Sequence, residues 1–160
     1  MYLSDIAQES VVQASPDATV FDVCRLMEQQ NVGCVVIVEG EKPVGIVTDR
    51  DIMLRIVLSG KDPRSTRISE GMTRDPVVFP RTTGLGEAFR AWKEHSFRRV
   101  PLVDTEGRIT GIVSLDDLVQ LVSDEVSSVA SIIRNQTESA GPASRRRGVA
   151  GAGHREAEAS

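Results

Sequence analysis

Two short stretches of the chain hold residue types suited to binding a polar ligand at a strand-to-helix turn. Gly45-Ile46-Val47-Thr48-Asp49-Arg50-Asp51 and Gly111-Ile112-Val113-Ser114-Leu115-Asp116-Asp117 each pass from an apolar run to a hydroxyl residue, with a carboxylate three positions later. If the hydroxyl ends a strand and opens a helix, the turn presents backbone N–H groups and the positive end of a helix dipole, which favour a phosphate or another anion. The hydroxyl of Thr48 or Ser114 can bond a ribose or phosphate oxygen. The carboxylate of Asp51 or Asp117 can accept both hydroxyls of a ribose diol. The same spacing is also a helix capping box, in which hydroxyl and carboxylate satisfy the helix start with no ligand. At this level both readings stand.

No other set of reactive side chains competes with these turns. The chain has two histidines, His95 and His154, and two cysteines, Cys24 and Cys34, with no Cys-x-x-Cys pair. That is too little for the usual metal sites, and the cysteines read as small buried apolar side chains. No nucleophile, histidine and acid are arranged for catalysis, so a binding function is expected, not an enzyme, and no cofactor or metal. His95 falls late in a predicted helix, where a polar or capping role suffices. GKDPRS lacks the lysine–hydroxyl ending of a phosphate-binding loop, and neighbours on a helix such as Asp116 and Asp117 point in different directions. A formal net charge of -4 gives no general attraction to nucleic acid or to an anionic membrane. No apolar run approaches the roughly 18 residues of a membrane span, and MYLSDIAQES is too acidic and polar for a secretory signal. A cytoplasmic location is expected, and a disulfide is not.

The elements that must position the two turns are written twice. At an offset of 65, Leu3-Ser4-Asp5 returns as Ile68-Ser69-Glu70, and Val35-Val36-Ile37-Val38 as Val100-Pro101-Leu102-Val103. Val20, Val23, Cys24 and Met27 return as Leu85, Ala88, Phe89 and Trp92. One residue is added in the polar turn from Asp104 to Arg108, and at an offset of 66 Gly45-Ile46-Val47-Thr48 returns as Gly111-Ile112-Val113-Ser114. Each copy predicts a short extended run (Ser10 to Ala14; Pro76 to Phe79) and then an amphipathic helix. Two strands follow, Cys34 to Val38 with Val44 to Val47, and Val100 to Val103 with Ile109 to Val113. A second helix starts after Thr48 or Ser114.

The fold class is therefore α/β (α+β), two β-α-β-β-α repeats. A unit of about 60 residues buries too little surface to stand comfortably alone. The repeats are expected to pack sheet against sheet, with Val35, Ile37, Val47, Val100, Leu102 and Val113 in one common interior. Repeat 1 covers 1–60 and repeat 2 covers 68–134, with a linker at 61–67 inside the polar stretch SGKDPRSTR. Residues 135–160 are rich in Gly, Ala, Ser and charge, and read as a disordered tail in which Arg145-Arg146-Arg147 is a solvated run. The helix face bearing Phe89 and Trp92 is expected to be buried within the chain or in a homodimer.

The repeated unit ending in Gly-apolar-apolar-Thr/Ser-x-x-Asp, with Phe97-Arg98-Arg99-Val100-Pro101-Leu102-Val103-Asp104, resembles the CBS domain over roughly residues 1 to 130. In that family, domains occur in tandem and pack as a pseudo-twofold pair, the Bateman module. The resemblance implies a small stand-alone bacterial type and a regulatory role. An adenosine-containing ligand (AMP, ADP, ATP or S-adenosylmethionine) would bind in clefts between the repeats, and a protein partner, which the sequence does not identify, would read the change. It places Asp51 and Asp117 on the ribose diol, Thr48 and Ser114 on ribose or phosphate, and Arg99 on phosphate. Adenine would sit near Val12 and Val32 in one cleft and near Val77 and Phe97 in the other, with Ile46, Pro101 and Ile112 among the apolar groups. A homodimer formed through helices is also implied. The clefts differ, because Gly33 and Cys34 stand where repeat 2 has Arg98 and Arg99, so phosphate charge is met from repeat 2. Gly84 and Gly86 replace Thr19 and Phe21, which predicts a frayed or late start for that helix. The alternative is a structural or protein-interaction module whose clefts take no nucleotide.

Overall fold

A computed structural model describes residues 1–139, the last three by backbone alone. Residues Met1–Ser123 form one compact unit and the chain from Asp124 a second. In chain order the elements are β1 (Gln13–Ala14), α1 (Val20–Gln30), β2 (Cys34–Glu39), β3 (Lys42–Thr48), α2 (Asp49–Ile52), β4 (Thr73–Arg74), β5 (Phe79–Pro80), α3 (Leu85–Glu94), β6 (Arg99–Val103), β7 (Ile109–Ser114) and α4 (Leu115–Ser139). Helix α2 continues as a wider π-helical turn over Met53–Val57. Each repeat has the order expected, β-α-β-β-α, with first strands of only two residues.

Short local signals set these elements. The β2–β3 hairpin turns on Gly40 and Glu41, both at positive φ (53° and 69°), the geometry of a tight two-residue turn. Thr19 caps α1, its hydroxyl accepting from the Asp22 N–H at 3.1 Å. Helix α3 has no such cap at Gly84, yet it begins at Leu85, the counterpart of Val20, so the expected late start does not occur. The linker docks instead of looping free. Thr66 O and Pro63 O accept from Val20 N–H and Phe21 N–H at 2.9 and 3.0 Å, which satisfies the first amides of α1.

One sheet has the order β1-β2-β3-β4 and the other β5-β6-β7, with β1–β2 and β5–β6 parallel and the remaining pairs antiparallel. Strand β4 lies in the opening segment of repeat 2 but pairs with β3 of repeat 1, Thr73 opposite Ile46. The matching pairing joins Gln8, at the start of repeat 1, to Ile112 in β7 of repeat 2. The cores follow the same exchange. Leu3 is fully buried with Ala88, Leu102, Val113 and Leu118, all of repeat 2, while Ile68 is fully buried with Val20, Val35, Ile37 and Val47 of repeat 1.

The expected common interior is therefore two interiors. Val35, Ile37 and Val47 belong to one and Leu102 and Val113 to the other, with Val100 fully buried on the same face of β6 as Leu102. The reason is the period of two along a strand. The face that meets the helices of a repeat cannot also meet the other repeat. The alternate residues form the second face: Cys34 and Val36 of β2 opposite Thr48 and Ile46 of β3, and Arg99 and Pro101 of β6 opposite Ser114 and Ile112 of β7. Val36 and Pro101 are buried there.

Helix α4 runs to Ser139, so residues 135–139, assigned from composition to the tail, are helical. Arg145, Arg146 and Arg147 lie outside the described residues. No helix among the described residues is long and apolar enough to cross a membrane.

Candidate functional site

The second face of each sheet opens into a cleft of about 310 Å³. Val12, Val32 and Cys34 come to it from repeat 1, and Arg99, Ile112, Ser114 and Asp117 from repeat 2. Six of the residues proposed from sequence thus share one concavity: Val12, Val32, Arg99, Ile112, Ser114 and Asp117. Strand alternation explains three of them, since Arg99, Ser114 and Ile112 occupy the same face of paired strands.

Both strand-to-helix turns form complete capping boxes. Asp117 Oδ2 accepts from Ser114 N–H and Ser114 Oγ–H, each at 2.7 Å, and Ser114 Oγ accepts from Asp117 N–H at 3.1 Å. Asp51 Oδ2 accepts from Thr48 N–H at 2.9 Å and Thr48 Oγ1–H at 3.0 Å, and the reciprocal bond is 3.2 Å. The first helical amide is also taken: Asp49 N–H donates to Gly33 O at 3.1 Å and Leu115 N–H to Arg98 O at 2.8 Å. The Arg50 N–H donates to Asp49 Oδ1. The turn of repeat 1 thus spends the amides of Asp49, Arg50 and Asp51 on the protein itself, and that of repeat 2 those of Leu115 and Asp117. Each cap uses one carboxylate oxygen of its aspartate and leaves the second.

That second oxygen differs between the repeats. Asp117 Oδ1 has the Gln8 amide N–H₂ at 3.4 Å, a long contact on the cleft wall. Asp51 Oδ1 has the Arg55 guanidinium at 3.5 Å, and Arg55 is itself held by Gly71 O and Thr73 Oγ1, both at 3.2 Å. Gln8 and Thr73 are counterparts in the repeat, so the exchanged segments bring a neutral amide to one aspartate and an arginine to the other. Arg55 is committed to this bridge.

Among the described residues, Arg99 is the one guanidinium on the cleft lining, against the two carboxylates of Asp116 and Asp117. Asp116 is exposed and 3.8 Å from Arg98. Cys34 is 8% exposed, and burial pushes its thiol up to about 11, against the pull of Arg99 and with the help of Asp51 and Asp49. Cys34 thus lies within electrostatic reach of the Arg99 side and the Asp51 side.

The remaining sequence candidates do not line this cleft. Thr48, Ile46 and Asp51 belong to the repeat 1 turn, and Pro101 is buried in β6. Val77 is 42% exposed. Phe97 sits in an aromatic cluster, its ring centroid 5.4 Å from Trp92, 6.1 Å from Phe79 and 5.8 Å from His95, stacked on the last. That cluster accounts for Trp92 within the chain, while Phe89 stays 38% exposed. Sequence reasoning did not select Gln8, Ser10, Asn31 or Asp116 from the lining. Gln8 had one available signal, its repeat relation to Thr73, but only the strand exchange places it. Among the described residues no group of three or more His, Cys, Asp or Glu could hold a metal ion.

The CBS domain model matches residues 3–58 and 67–124, one match for each repeat, and the chain belongs to the CBS-domain family. It is 34% identical over 136 residues to CBS domain-containing protein YhcV of Bacillus subtilis, covering 84% of this chain and 96% of that one. It is 30% identical over 120 residues to an uncharacterized protein of Methanopyrus kandleri, covering 74% of this chain and 61% of that longer relative. A solved putative signal-transduction protein with CBS domains from Burkholderia ambifaria superposes with a TM-score of 0.69 at 27% identity, over 76% of this chain and 93% of that one. Two solved chains below 25% identity share the fold. The CBS domain pair of protein MJ0100, in complex with 5'-methylthioadenosine and S-adenosyl-L-methionine, gives a TM-score of 0.70 at 23% identity and covers 78% of this chain and 98% of that one. CBSX2 in complex with AMP gives 0.67 at 22% identity and covers 77% and 97%.

Proposed function

We propose that this CBS pair is a regulatory binding module that takes an adenosine-containing ligand in the Arg99–Asp117 cleft and passes the resulting shift in repeat packing to a protein partner. The observation that carries the reading is the co-location of three chemistries in one cleft: apolar walls at Val12, Val32 and Ile112, a guanidinium at Arg99, and a carboxylate oxygen on Asp117 beyond the one its cap uses. They answer to a purine, a phosphate and a ribose diol. The volume of about 310 Å³ is at the small end of ligand pockets. With one cation and two carboxylates on the lining, AMP or the cationic S-adenosylmethionine fits the charge better than ADP or ATP. Two neighbours of the same fold carry adenosine compounds, which supports the ligand class.

The Val32 N–H is already bonded to Met27 O at 3.0 Å, so base recognition falls to other backbone atoms of this wall. The other set, Thr48, Asp51 and Ile46 of repeat 1 with Val77 and Phe97 of repeat 2, is the weaker site on this reading, because Arg55 neutralises Asp51 and Cys34 replaces the second arginine. A ligand shifts the pair only through different affinity for two packings. Isothermal titration with adenosine, AMP, ADP, ATP and S-adenosylmethionine tests the proposal. Failure of all five at millimolar concentration sinks it. The completed capping boxes favour the second reading, an interaction module with an unused cleft, and that reading would then stand.

A further inference from the structure

We infer that the aromatic concavity beside α3 docks an acidic segment of a partner protein, anchored by an aromatic side chain. The concavity holds about 410 Å³ and shares no lining residue with the Arg99–Asp117 cleft. Trp92, Phe97 and Leu115, all half-buried, line it together with Phe89, which is 38% exposed. Its rings are ordered by the fold: Trp92 stands edge-on to Phe97 and Phe79, with centroids 5.4 and 5.9 Å away, and His95 stacks on Phe97 at 5.8 Å. Rings already fixed in this way bind another ring at little cost in entropy.

Charge selects the occupant. Lys93, His95 and Arg98 line the concavity, and among the described residues no carboxylate does. The chain as a whole carries -4, so the sign is locally reversed. Arg98 has Asp116 at 3.8 Å, but both side chains are 73% exposed, and so open a pair is weak and gives way readily to another carboxylate. An occupant with a ring for Trp92 and Phe97 and carboxylates for Lys93 and Arg98 meets both halves of the lining. Exposure then favours a protein segment over a free small molecule. Phe89, Lys93, His95 and Arg98 are all exposed, so the concavity is shallow, whereas a small ligand is held by burying about 70–90% of its surface. A peptide seats one ring there and makes its remaining contacts on the charged rim.

The concavity also adjoins the wall of the cleft. Arg98 and Leu115 line the concavity, while the residues that follow them, Arg99 and Asp116, line the cleft. Leu115 N–H donates to Arg98 O at 2.8 Å and Arg99 pairs with Ser114 in the sheet, so these segments form one wall that serves both sites. A partner seated here touches the neighbours of the residues assigned to the ligand. The inference rests on the proposed function for the partner's role as reader of the cleft, and the docking itself is tested without nucleotide.

The test is titration of the full chain with acetyl-Glu-Asp-Phe-Glu-Asp-amide, followed by calorimetry and by the fluorescence of Trp92, the one tryptophan of the chain. Saturation with a Kd at or below about 1 mM is expected. The same peptide with alanine for phenylalanine, and acetyl-Lys-Lys-Phe-Lys-Lys-amide, should each bind at least about tenfold more weakly. Lys93→Glu and Phe89→Ser should each weaken the acidic peptide by roughly tenfold. Arg25→Glu, the same change of charge on α1, should weaken it by less than about twofold. Circular dichroism checks that the variants fold, and Lys93→Ala replaces Lys93→Glu if that chain does not. Bound AMP should shift the peptide affinity by about threefold or more, and the peptide should shift AMP by the same factor. Failure of AMP to bind sinks the ligand reading and leaves the docking to be decided by the peptide alone. The inference is overturned if the acidic peptide does not bind, if the basic peptide binds as well, or if folded Lys93 and Phe89 variants bind like the wild type. Phenylacetate binding as tightly as the peptide would assign the concavity to a small acid, and a Trp92 signal that shifts with chain concentration alone would assign it to a second copy. Either result overturns the inference, and a peptide affinity indifferent to bound AMP overturns the reader's role.

Discussion

The Met72 side chain fills the space that a Cβ on Gly45 would need. Met72 enters from the segment that opens repeat 2, so the glycine that starts the first motif serves the strand exchange. Gly45→Val should therefore overpack the first core and cost about 1–3 kcal/mol, read from urea unfolding. Gly111→Ala meets Ala7 Cβ at 3.2 Å and Gln8 O at 3.3 Å, and should destabilise in the same direction by less. A Gly45→Val chain as stable as the wild type would show that the exchanged segment is not seated there.

The exchange has a second consequence, at Leu3. It is fully buried among repeat 2 residues although it begins repeat 1. Leu3→Ala should cost about 2–5 kcal/mol. The loss should appear in the fluorescence of Trp92, which packs against the same core. An effect confined to fraying of the first residues, with stability unchanged, would contradict this placement.

The two turns were legible in sequence because a hydroxyl, a carboxylate and their spacing are local, and a capping box forms within four residues. The hairpins were legible for the same reason. The exchange was not. Leu3 and Ile68 look like ordinary openings of their own repeats, and no local pattern says that Leu3 packs with Val113 or that Gln8 meets Asp117, 109 positions away. A single interior is ruled out by strand alternation, because the face that meets the helices of its own repeat cannot also meet the other repeat. The end of α4 is not legible in sequence, because Asn135, Gln136 and Thr137 carry no apolar period, while the helix is continued from residues before them.

Cys34 offers a chemical probe of the cleft. With its thiol held up to about 11, it should alkylate at pH 7.5 roughly a hundredfold or more slowly than in the urea-unfolded chain, whose cysteines titrate near about 8.5. A folded pKa above the unfolded one stabilises the fold below about pH 8.5, and that contribution is lost as pH rises towards about 11. Stability should accordingly fall on the alkaline side. Because Arg99 pulls the thiol down, Arg99→Ala should slow alkylation further. Faster alkylation in that variant would mean that access, not charge, controls Cys34.

The two aspartates separate capping from binding. Asp117 and Asp51 cap their helices in the same way, so Ala at either position should lower stability by about 0.5–2 kcal/mol. Their effects on a ligand should differ. Asp117 Oδ1 lies on the Arg99 cleft, and Asp117→Asn keeps one acceptor for the cap while losing the charge. Its affinity for AMP should fall by about 1.5–3 kcal/mol, roughly one to two decades, with little change in melting temperature. Asp51→Asn, whose outer oxygen faces Arg55, should change AMP affinity much less. Arg99→Ala should weaken AMP by a similar one to two decades, roughly, and leave adenosine nearly unchanged, because its partner is the phosphate. Calorimetric affinity and melting temperature measured on the same four proteins decide the matter. Equal losses of affinity at Asp51 and Asp117 would show that both act through the fold, and affinity that tracks melting temperature across the set would reduce both carboxylates to helix caps.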